Sequence, residues 1–298
     1  MPRRLLLLGG SGQVGTALRR IADPGSWTLT APTRAELDLA DAAALARAVA
    51  GVDLVVNCAA HTAVDLAESE PEVSFAANRD GPAALARAAA VAGIPLLHLS
   101  TDYVFDGNPG RPWREDDPVS PQGVYARGKE AGERAVREAL DRHVIIRTAW
   151  VFGPDGKNFL RTMLRLGETR DVLGVVADQW GGPTPADSIA MALERVATTL
   201  LDREPPPRDP CWGTFHLAGG PPASWHGFAT EIFAQAAARG WRVPPTVSPI
   251  GTEQYPTPAK RPSWSVLDCQ RIRAVYGVAQ PSWKDGIARA LDVLGREG

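Results

Sequence analysis

Tyr125 and Lys129 stand four residues apart in Val119-Ser120-Pro121-Gln122-Gly123-Val124-Tyr125-Ala126-Arg127-Gly128-Lys129, at the start of a stretch with helical spacing. In a helix that separation puts both side chains on one face, about 5–6 Å apart at Cβ. A free phenol, with a pKa of about 10, is a poor proton donor or acceptor near neutrality, and an ammonium beside it stabilises the phenolate. The pair is therefore equipped for acid–base chemistry. The alternative is a packed tyrosine beside a solvated lysine, and composition speaks against it. Of the 32 Lys and Arg residues only four are lysines, Lys129, Lys157, Lys260 and Lys284, so this chain uses arginine wherever a generic positive charge suffices. A compact ammonium can tune a neighbour's pKa or touch a ribose hydroxyl in ways a guanidinium cannot.

The elements that must position the pair read as alternating strands and helices. Arg4-Leu5-Leu6-Leu7-Leu8-Gly9 is a short apolar run closed by glycine, the mark of a parallel strand buried on both faces. It leads into Gly9-Gly10-Ser11-Gly12-Gln13-Val14-Gly15 and a helix to Ile21. In such a turn Gly9 and Gly12 allow backbone to approach a pyrophosphate, Gly15 allows helix and strand to pack closely, and the helix N-terminus offers free N–H groups. Strands are expected over 27–31, 54–57, 96–100 and 144–147, and helices over 41–50, 72–92 and 124–140. This alternation predicts an α/β fold, a doubly wound, Rossmann-like parallel sheet covered on both sides, with ligands at the strands' carboxyl ends. There lie Cys58-Ala59-Ala60-His61-Thr62, Ser100-Thr101-Asp102-Tyr103 and Thr148-Ala149-Trp150.

After the second strand the chain offers Pro32-Thr33-Arg34 and no acid before Glu36. An acidic residue there would select the 2′-hydroxyl of NAD and a basic one the 2′-phosphate of NADP, so Arg34, if not merely solvated, points to NADPH over NADH. Beyond Trp150 prolines such as Pro183, Pro185 and Pro205-Pro206-Pro207 break the chain into shorter pieces, with strands expected over 172–176 and 214–217 and helices over 185–201, 224–239 and 283–294. The expected organisation is a dinucleotide-binding domain over 1–150 and a smaller, mainly substrate-binding α/β region over 151–298, free to exchange segments with the first. With 298 residues, 44% hydrophobic and a net charge of −2, the chain can bury a full core and shows no electrostatic footprint for nucleic acid or a membrane surface. Three widely spaced cysteines, Cys58, Cys211 and Cys269, imply neither a disulfide framework nor a metal site, and fit a cytoplasmic setting.

Four ordered strings carry a resemblance over essentially the whole chain: Ala59-Ala60-His61-Thr62-Ala63-Val64-Asp65-Leu66-Ala67-Glu68, Ser100-Thr101-Asp102-Tyr103-Val104-Phe105-Asp106-Gly107, Arg147-Thr148-Ala149-Trp150-Val151-Phe152-Gly153 and Tyr255-Pro256-Thr257-Pro258-Ala259-Lys260-Arg261-Pro262. With the glycine pattern and the Tyr125/Lys129 pair, they resemble the extended short-chain dehydrogenase/reductase superfamily and, within it, the dTDP-4-dehydrorhamnose reductase family. The resemblance implies reduction of the 4-keto group of dTDP-4-dehydro-L-rhamnose to dTDP-L-rhamnose by NADPH or NADH. It implies that Tyr125 donates the proton, Lys129 holds the cofactor ribose and lowers the tyrosine pKa, and Thr101 hydrogen-bonds the reacting oxygen. By the same resemblance Gly12, Gln13 and Val14 contact the cofactor pyrophosphate, Asp38 and Leu39 the adenosine, and Ala59, Ala60, His61 and Thr62 the far half of the cofactor. Asp102, Tyr103 and Trp150 would meet the sugar nucleotide. His61 is read either as a cofactor contact or as a structural histidine, Asp102 as a substrate contact or a loop anchor, and Arg261 as a ligand of the substrate diphosphate or a partner for a carboxylate.

Two departures from the family pattern stand out. Some members form dimers through glutamates that share a magnesium ion near the first helix, where this chain has Thr16-Ala17-Leu18. No metal-linked dimer is expected, and the chain is read as a monomer or weak homodimer. Trp264 stands two residues after Pro262, where the family often carries Asn. Among rival readings, a sugar-nucleotide dehydratase would need an Asp-Glu pair after the threonine, where this chain has Asp102-Tyr103. Another NDP-sugar 4-ketoreductase or epimerase shares the fold, although an epimerase typically anchors NAD with an acid after the second strand. A regulatory subunit of methionine adenosyltransferase resembles the same family without an established reductase role, and the intact Thr101, Tyr125 and Lys129 disfavour that reading.

Overall fold

The computed structural model describes residues 1–107 and 110–297. In chain order the elements are β1 (Arg3–Leu8), α1 (Gln13–Ile21), β2 (Trp27–Thr30), α2 (Ala42–Val49), β3 (Leu54–Asn57), α3 (Val64–Ser69), α4 (Pro71–Phe75), α5 (Gly81–Ala92), β4 (Leu96–Thr101), α6 (Val124–Ala139) and β5 (His143–Thr148). They continue with β6 (Val151–Phe152), α7 (Phe159–Gly167), β7 (Val172–Val176), β8 (Trp180–Gly181), β9 (Thr184–Pro185), α8 (Ala186–Arg203), β10 (Gly213–His216), β11 (Ala223–Ser224), α9 (Trp225–Ala237), β12 (Thr246–Ile250), α10 (Gln270–Tyr276) and α11 (Trp283–Glu297).

Six strands form one parallel sheet in the order β10-β5-β4-β3-β1-β2. The unbroken run of leucines in β1 is explained by burial on both sides. Leu5 and Leu7 enter the core shared with α1 and α8, whereas Leu6 and Leu8 enter the core shared with α2, α5 and α6. Because β2 and β3 flank β1 on opposite sides, the chain reverses direction there, and a crevice opens at the carboxyl ends of β1 and β3. This is the doubly wound architecture that the alternation predicted. Of the later chain, β10 completes the sheet beside β5 and α8 packs against α1. A separate core gathers Phe152, Leu160, Phe228, Ile232 and Ile287 from α7, α9 and α11 and their surroundings, beside the two-stranded parallel ribbon β7–β12.

The structure differs from the sequence-based expectation in several places. The helix expected over 72–92 is α4 and α5 joined by a π turn at Ala76–Asp80. α3, β6, α7, β8, β9, β11, β12 and α10 were not anticipated. Each is short, and β12 contains Pro249, a residue that weighs against a strand until the second strand of the ribbon is known. Asn158 caps α7 by accepting a hydrogen bond from the Arg161 N–H.

The π turn is fixed from both sides. Asn78, fully buried in it, accepts a hydrogen bond from the His61 N–H at 2.9 Å and donates to the His61 carbonyl at 3.0 Å. On its other side α6 approaches so closely that a Cβ on Gly132 would lie 2.0 Å from the Asn78 carbonyl oxygen. Gly132→Ala must therefore push α6 away from the π turn. We expect a loss of about 1–3 kcal/mol, read as a melting temperature lowered by roughly 2–10 °C; an unchanged Tm would show that the approach is not tight.

Candidate active site

Thr101 is the last residue of β4, and a short 3₁₀ turn over Asp102–Val104 follows it. Its hydroxyl accepts from the Tyr103 N–H at 3.2 Å and donates to Asp102 Oδ1 at 3.1 Å. Tyr125 and Lys129 lie in the first two turns of α6, which opens at Gly123 with the Val124 N–H donating to Glu68 Oε1 at 2.8 Å. The Tyr125 ring meets that of Tyr103 edge to face, 6.2 Å between centroids. Burial pushes the Tyr125 phenol up to about 12, against the pull of the Thr101 hydroxyl. Lys129 is buried, with Nζ donating to the Leu99 carbonyl of β4 at 2.7 Å. Burial brings its ammonium down to about 8, opposed by Glu133 and Cys58. At neutral pH the site thus holds a protonated phenol and a charged lysine, the state in which a proton donor is ready for use.

Asp102 is almost fully buried, and its Oδ2 has no hydrogen-bond partner among the described residues. Burial pushes its carboxyl up to about 7, while the nearby Ser265 and Thr101 hydroxyls pull the other way. Tyr103 lines a small hollow with Tyr125, Gln122, Ala259 and Pro262. The larger concavity of about 900 Å³, bordered by Lys157, Arg161, Arg165, Trp241 and Arg242, holds none of these groups, so chemistry rather than size locates the site.

The glycine turn sits in the crevice between β1 and β3. Gly9 has φ +75°, and a Cβ there would lie 2.6 Å from the Ala59 nitrogen; a Cβ on Gly15 would lie 2.2 Å from the Gly9 carbonyl oxygen. By contrast a Cβ on Gly12 would meet only the Gly9 carbonyl, at 3.3 Å, and no side chain caps α1. Close backbone packing beneath and uncapped N–H groups above fit a pyrophosphate-bearing dinucleotide. Val14 is turned into the core, and the Gln13 side chain is spent on the Asn158 amide (3.0 Å) and the Val151 carbonyl (3.5 Å), so both could offer a ligand their backbone N–H. Arg34 and Asp38 are exposed in the connection after β2, with Asp38 Oδ1 accepting from the Ala40 N–H at 2.9 Å; Leu39 is half-buried against Gly81. Ala59, Ala60 and His61 follow β3 half-buried and Thr62 exposed, and the His61 Nδ1 is buried without a partner among the described residues.

On the far side Trp150 adopts φ +47°, a conformation that costs a non-glycine residue about 1–3 kcal/mol. Its ring lies flat on Trp225, 3.4 Å between centroids, and Gly181 makes room for it, since a Cβ there would come within 2.6 Å of the indole. Arg261 makes a two-pronged pair with Asp65 of α3 (2.7 and 2.8 Å) and also donates to the Thr257 hydroxyl and the Ala259 carbonyl. The carboxylate pairing, one of its two readings, is thus realised in this state. Its charge still reaches the site, because it lowers the Tyr103 phenol against the burial that raises it. Trp264 donates its indole N–H to the Arg111 carbonyl at 2.9 Å and tilts against the exposed Trp180.

Sequence reasoning missed Asn78, Trp225, Glu133 and Arg147. Two signals were present: a glutamate four residues after Lys129 on the same helical face, and an arginine closing the apolar strand Val144-Ile145-Ile146. Nothing in the order of residues says that these two charges meet.

Comparison with known proteins places this site in a family context. Residues 3–296 match the family described as the RmlD substrate binding domain. The dTDP-4-dehydrorhamnose reductase of Sinorhizobium fredii is 43% identical over 298 residues, covering 99% of either chain. Among solved structures, a dTDP-4-dehydrorhamnose reductase from Clostridium acetobutylicum superposes with a TM-score of 0.88 at 36% identity, covering 98% of this chain and 99% of that one. The Bacillus anthracis dTDP-4-dehydrorhamnose reductase in complex with NADP gives a TM-score of 0.89 at 31% identity, covering 98% and 100%. Among the described residues no helix is long and apolar enough to cross a membrane.

The buried Asp102 has a consequence for stability. Folding raises its carboxyl from 3.8 to about 7, so between those values the native state holds a proton that the unfolded chain has lost. The contribution is intact below pH 3.8 and is lost as pH rises through 7, up to about 4 kcal/mol in all. Asp102→Asn should flatten that part of the curve, seen as melting temperatures that approach wild type below about pH 4 and exceed it at pH 8. Parallel curves would show that Asp102 is ionised in the native state.

Proposed function

Because the chain belongs to the dTDP-4-dehydrorhamnose reductase family, we propose that it reduces the 4-keto group of dTDP-4-dehydro-L-rhamnose to dTDP-L-rhamnose, with NADPH preferred to NADH. The observation that carries this reading is the convergence of Thr101, Tyr125 and Lys129 at the carboxyl end of β4, beside a glycine turn open to a dinucleotide. When bound, the nicotinamide cofactor supplies the hydride. As the substrate's carbonyl oxygen takes up negative charge, Tyr125 delivers its proton to that oxygen and the Thr101 hydroxyl donates a hydrogen bond to it, so that charge is stabilised where it develops. Lys129 holds the ribose and, as a cation on the same helical face, favours the phenolate left on Tyr125.

Around this centre the backbone N–H groups of Gly12, Gln13 and Val14 hold the pyrophosphate, Gly9 and Gly15 permitting the approach, and Arg34 takes the 2′-phosphate. Asp38 and Leu39 border the adenosine, and Ala59, Ala60, His61 and Thr62 the nicotinamide half. Trp150 is a rigid platform for the sugar because Trp225 fixes its ring from behind. The Oδ2 of Asp102, without a partner among the described residues, is placed to hydrogen-bond a sugar hydroxyl beside Tyr103. Arg261, oriented by Asp65, reaches the diphosphate through its remaining donors. The smaller region after residue 150 forms the substrate side of the cleft.

Incubating the protein with dTDP-4-dehydro-L-rhamnose and NADPH should consume the cofactor, and no oxidation would overturn the assignment. Tyr125→Phe should lower kcat by about 10²–10⁴-fold with little change in NADPH affinity; an unchanged kcat would remove Tyr125 from the chemistry. Arg34→Ala should lower the ratio of kcat/KM for NADPH to that for NADH by roughly tenfold, the effect of losing one charge-assisted contact, and an unchanged ratio would take Arg34 out of cofactor selection.

A further inference from the structure

Behind Lys129 lies a buried charge network that the mechanism above does not use. Glu133 follows Lys129 by one helical turn on α6, and none of its side chain is exposed. It receives hydrogen bonds from Arg147 of β5 at 2.9 Å (Nε to Oε1) and 2.8 Å (Nη2 to Oε2), and from Arg137 at 3.0 Å. Arg147, itself 3% exposed, also reaches the His216 Nε2 of β10 at 3.4 Å and lies over the Phe105 ring at 5.1 Å. His216 Nδ1 stands 3.1 Å from the Trp113 carbonyl, which fits a neutral ring donating there while its other nitrogen accepts from Arg147. Burial alone would push the Glu133 carboxyl up, but Arg147 foremost holds it down at about 2, so it is charged at every working pH.

A buried salt bridge of this kind is a weak source of stability, since desolvation offsets much of the attraction. Its position suggests another role. The groups around Lys129 are Glu133 one turn along α6, the Leu99 carbonyl and His98 from β4, and Cys58 after β3, with Arg147 of β5 beyond Glu133 and Tyr125 one turn earlier on α6. Burial keeps the Cys58 thiol up at about 12 and the His98 ring well below its ordinary range, so both are neutral near pH 7. Of these groups Glu133 supplies the negative charge.

We propose that Glu133, clamped by Arg147, is a positioning residue for Lys129: it keeps the ammonium charged and directed along α6 toward the Leu99 carbonyl and the cofactor ribose. Arg147 ties the carboxylate to β5, so that α6 cannot carry Lys129 away from β4. The inference rests on the reading of Lys129 as a working ammonium.

Two readouts test it, NADPH affinity by fluorescence titration and kcat/KM, each followed from pH 6 to pH 9. In the wild type both should decline as Lys129 loses its proton near 8. In Glu133→Gln, which keeps the shape, the decline should move down by about 1–2 pH units, as loss of a charge roughly 6 Å away at an effective dielectric near 20 implies. NADPH binding at pH 8 should then weaken about tenfold or more while pH 6 values stay near wild type. Glu133→Gln with Arg147→Met relieves the stranded guanidinium, so it should regain thermal stability while the decline stays displaced. A double variant that is stable and declines at the wild-type pH would overturn the proposal and leave the network a structural tie. Lys129→Met separates the two readings: if it too binds NADPH and turns over with the wild-type profile, Lys129 is not a working ammonium, and the proposal falls with that reading rather than through Glu133.

Discussion

Holding a lysine ammonium out of water at the edge of a parallel sheet is costly, because burial favours the neutral amine, and much of the surrounding structure offsets that cost. The Leu99 carbonyl accepts a hydrogen bond from it, Glu133 supplies opposite charge one turn away, and Arg147 keeps that carboxylate ionised and fixed. The pair Glu133–Arg147 also joins α6 to β5, and the His216 ring extends the connection to β10, the strand that the later half of the chain contributes to the sheet. The electrostatics of one side chain and the assembly of three elements around it are therefore a single arrangement.

A second constraint is the distance between backbones. Gly9 lies against Ala59, Gly15 against Gly9, Gly132 against Asn78 and Gly181 against the Trp150 ring, each so close that a methyl group could not be placed between them. The first two bring the end of β1 and the start of α1 onto the end of β3, which leaves N–H groups facing open space above Gly12. The third seats α6 on the π turn whose Asn78 holds the His61 backbone. Tyr125 and Lys129 ride on the same helix, so a packing contact on the back of α6 sets how far the chemistry lies from the segment after β3.

The cleft's two sides are built differently. On the sheet side, polar groups are tied to backbone, as with Thr101 and Tyr103. On the other, a strained Trp150 is held by ring stacking and by the small neighbour Gly181. Asp102 sits between them with one oxygen that has no partner among the described residues, a local conflict that a bound hydroxyl would relieve. Unsatisfied polarity and backbone strain together at the mouth of a cleft are the kind of stored cost that binding can release.

By itself the sequence determined the strand–helix alternation, the β1 turn with its glycines, and the chemical identity of Thr101, Tyr125 and Lys129, because these follow from local periodicity, spacing and side-chain chemistry. Even the pairing of Tyr125 with Lys129 is a property of one helix. The tertiary structure alone decided that β10 and α8 return to the first half, since strand order depends on contacts across more than 60 residues. It also decided that Arg261 meets Asp65, that Trp225 lies under Trp150 and that Glu133 meets Arg147. Each of these joins side chains from different elements, and no local pattern encodes a partner 14, 75 or 196 residues away. The π turn at Asn78 belongs with them: the residues there read as ordinary helix, and the extra backbone residue is stabilised by hydrogen bonds to His61 that exist only once β3 and α6 have closed around it.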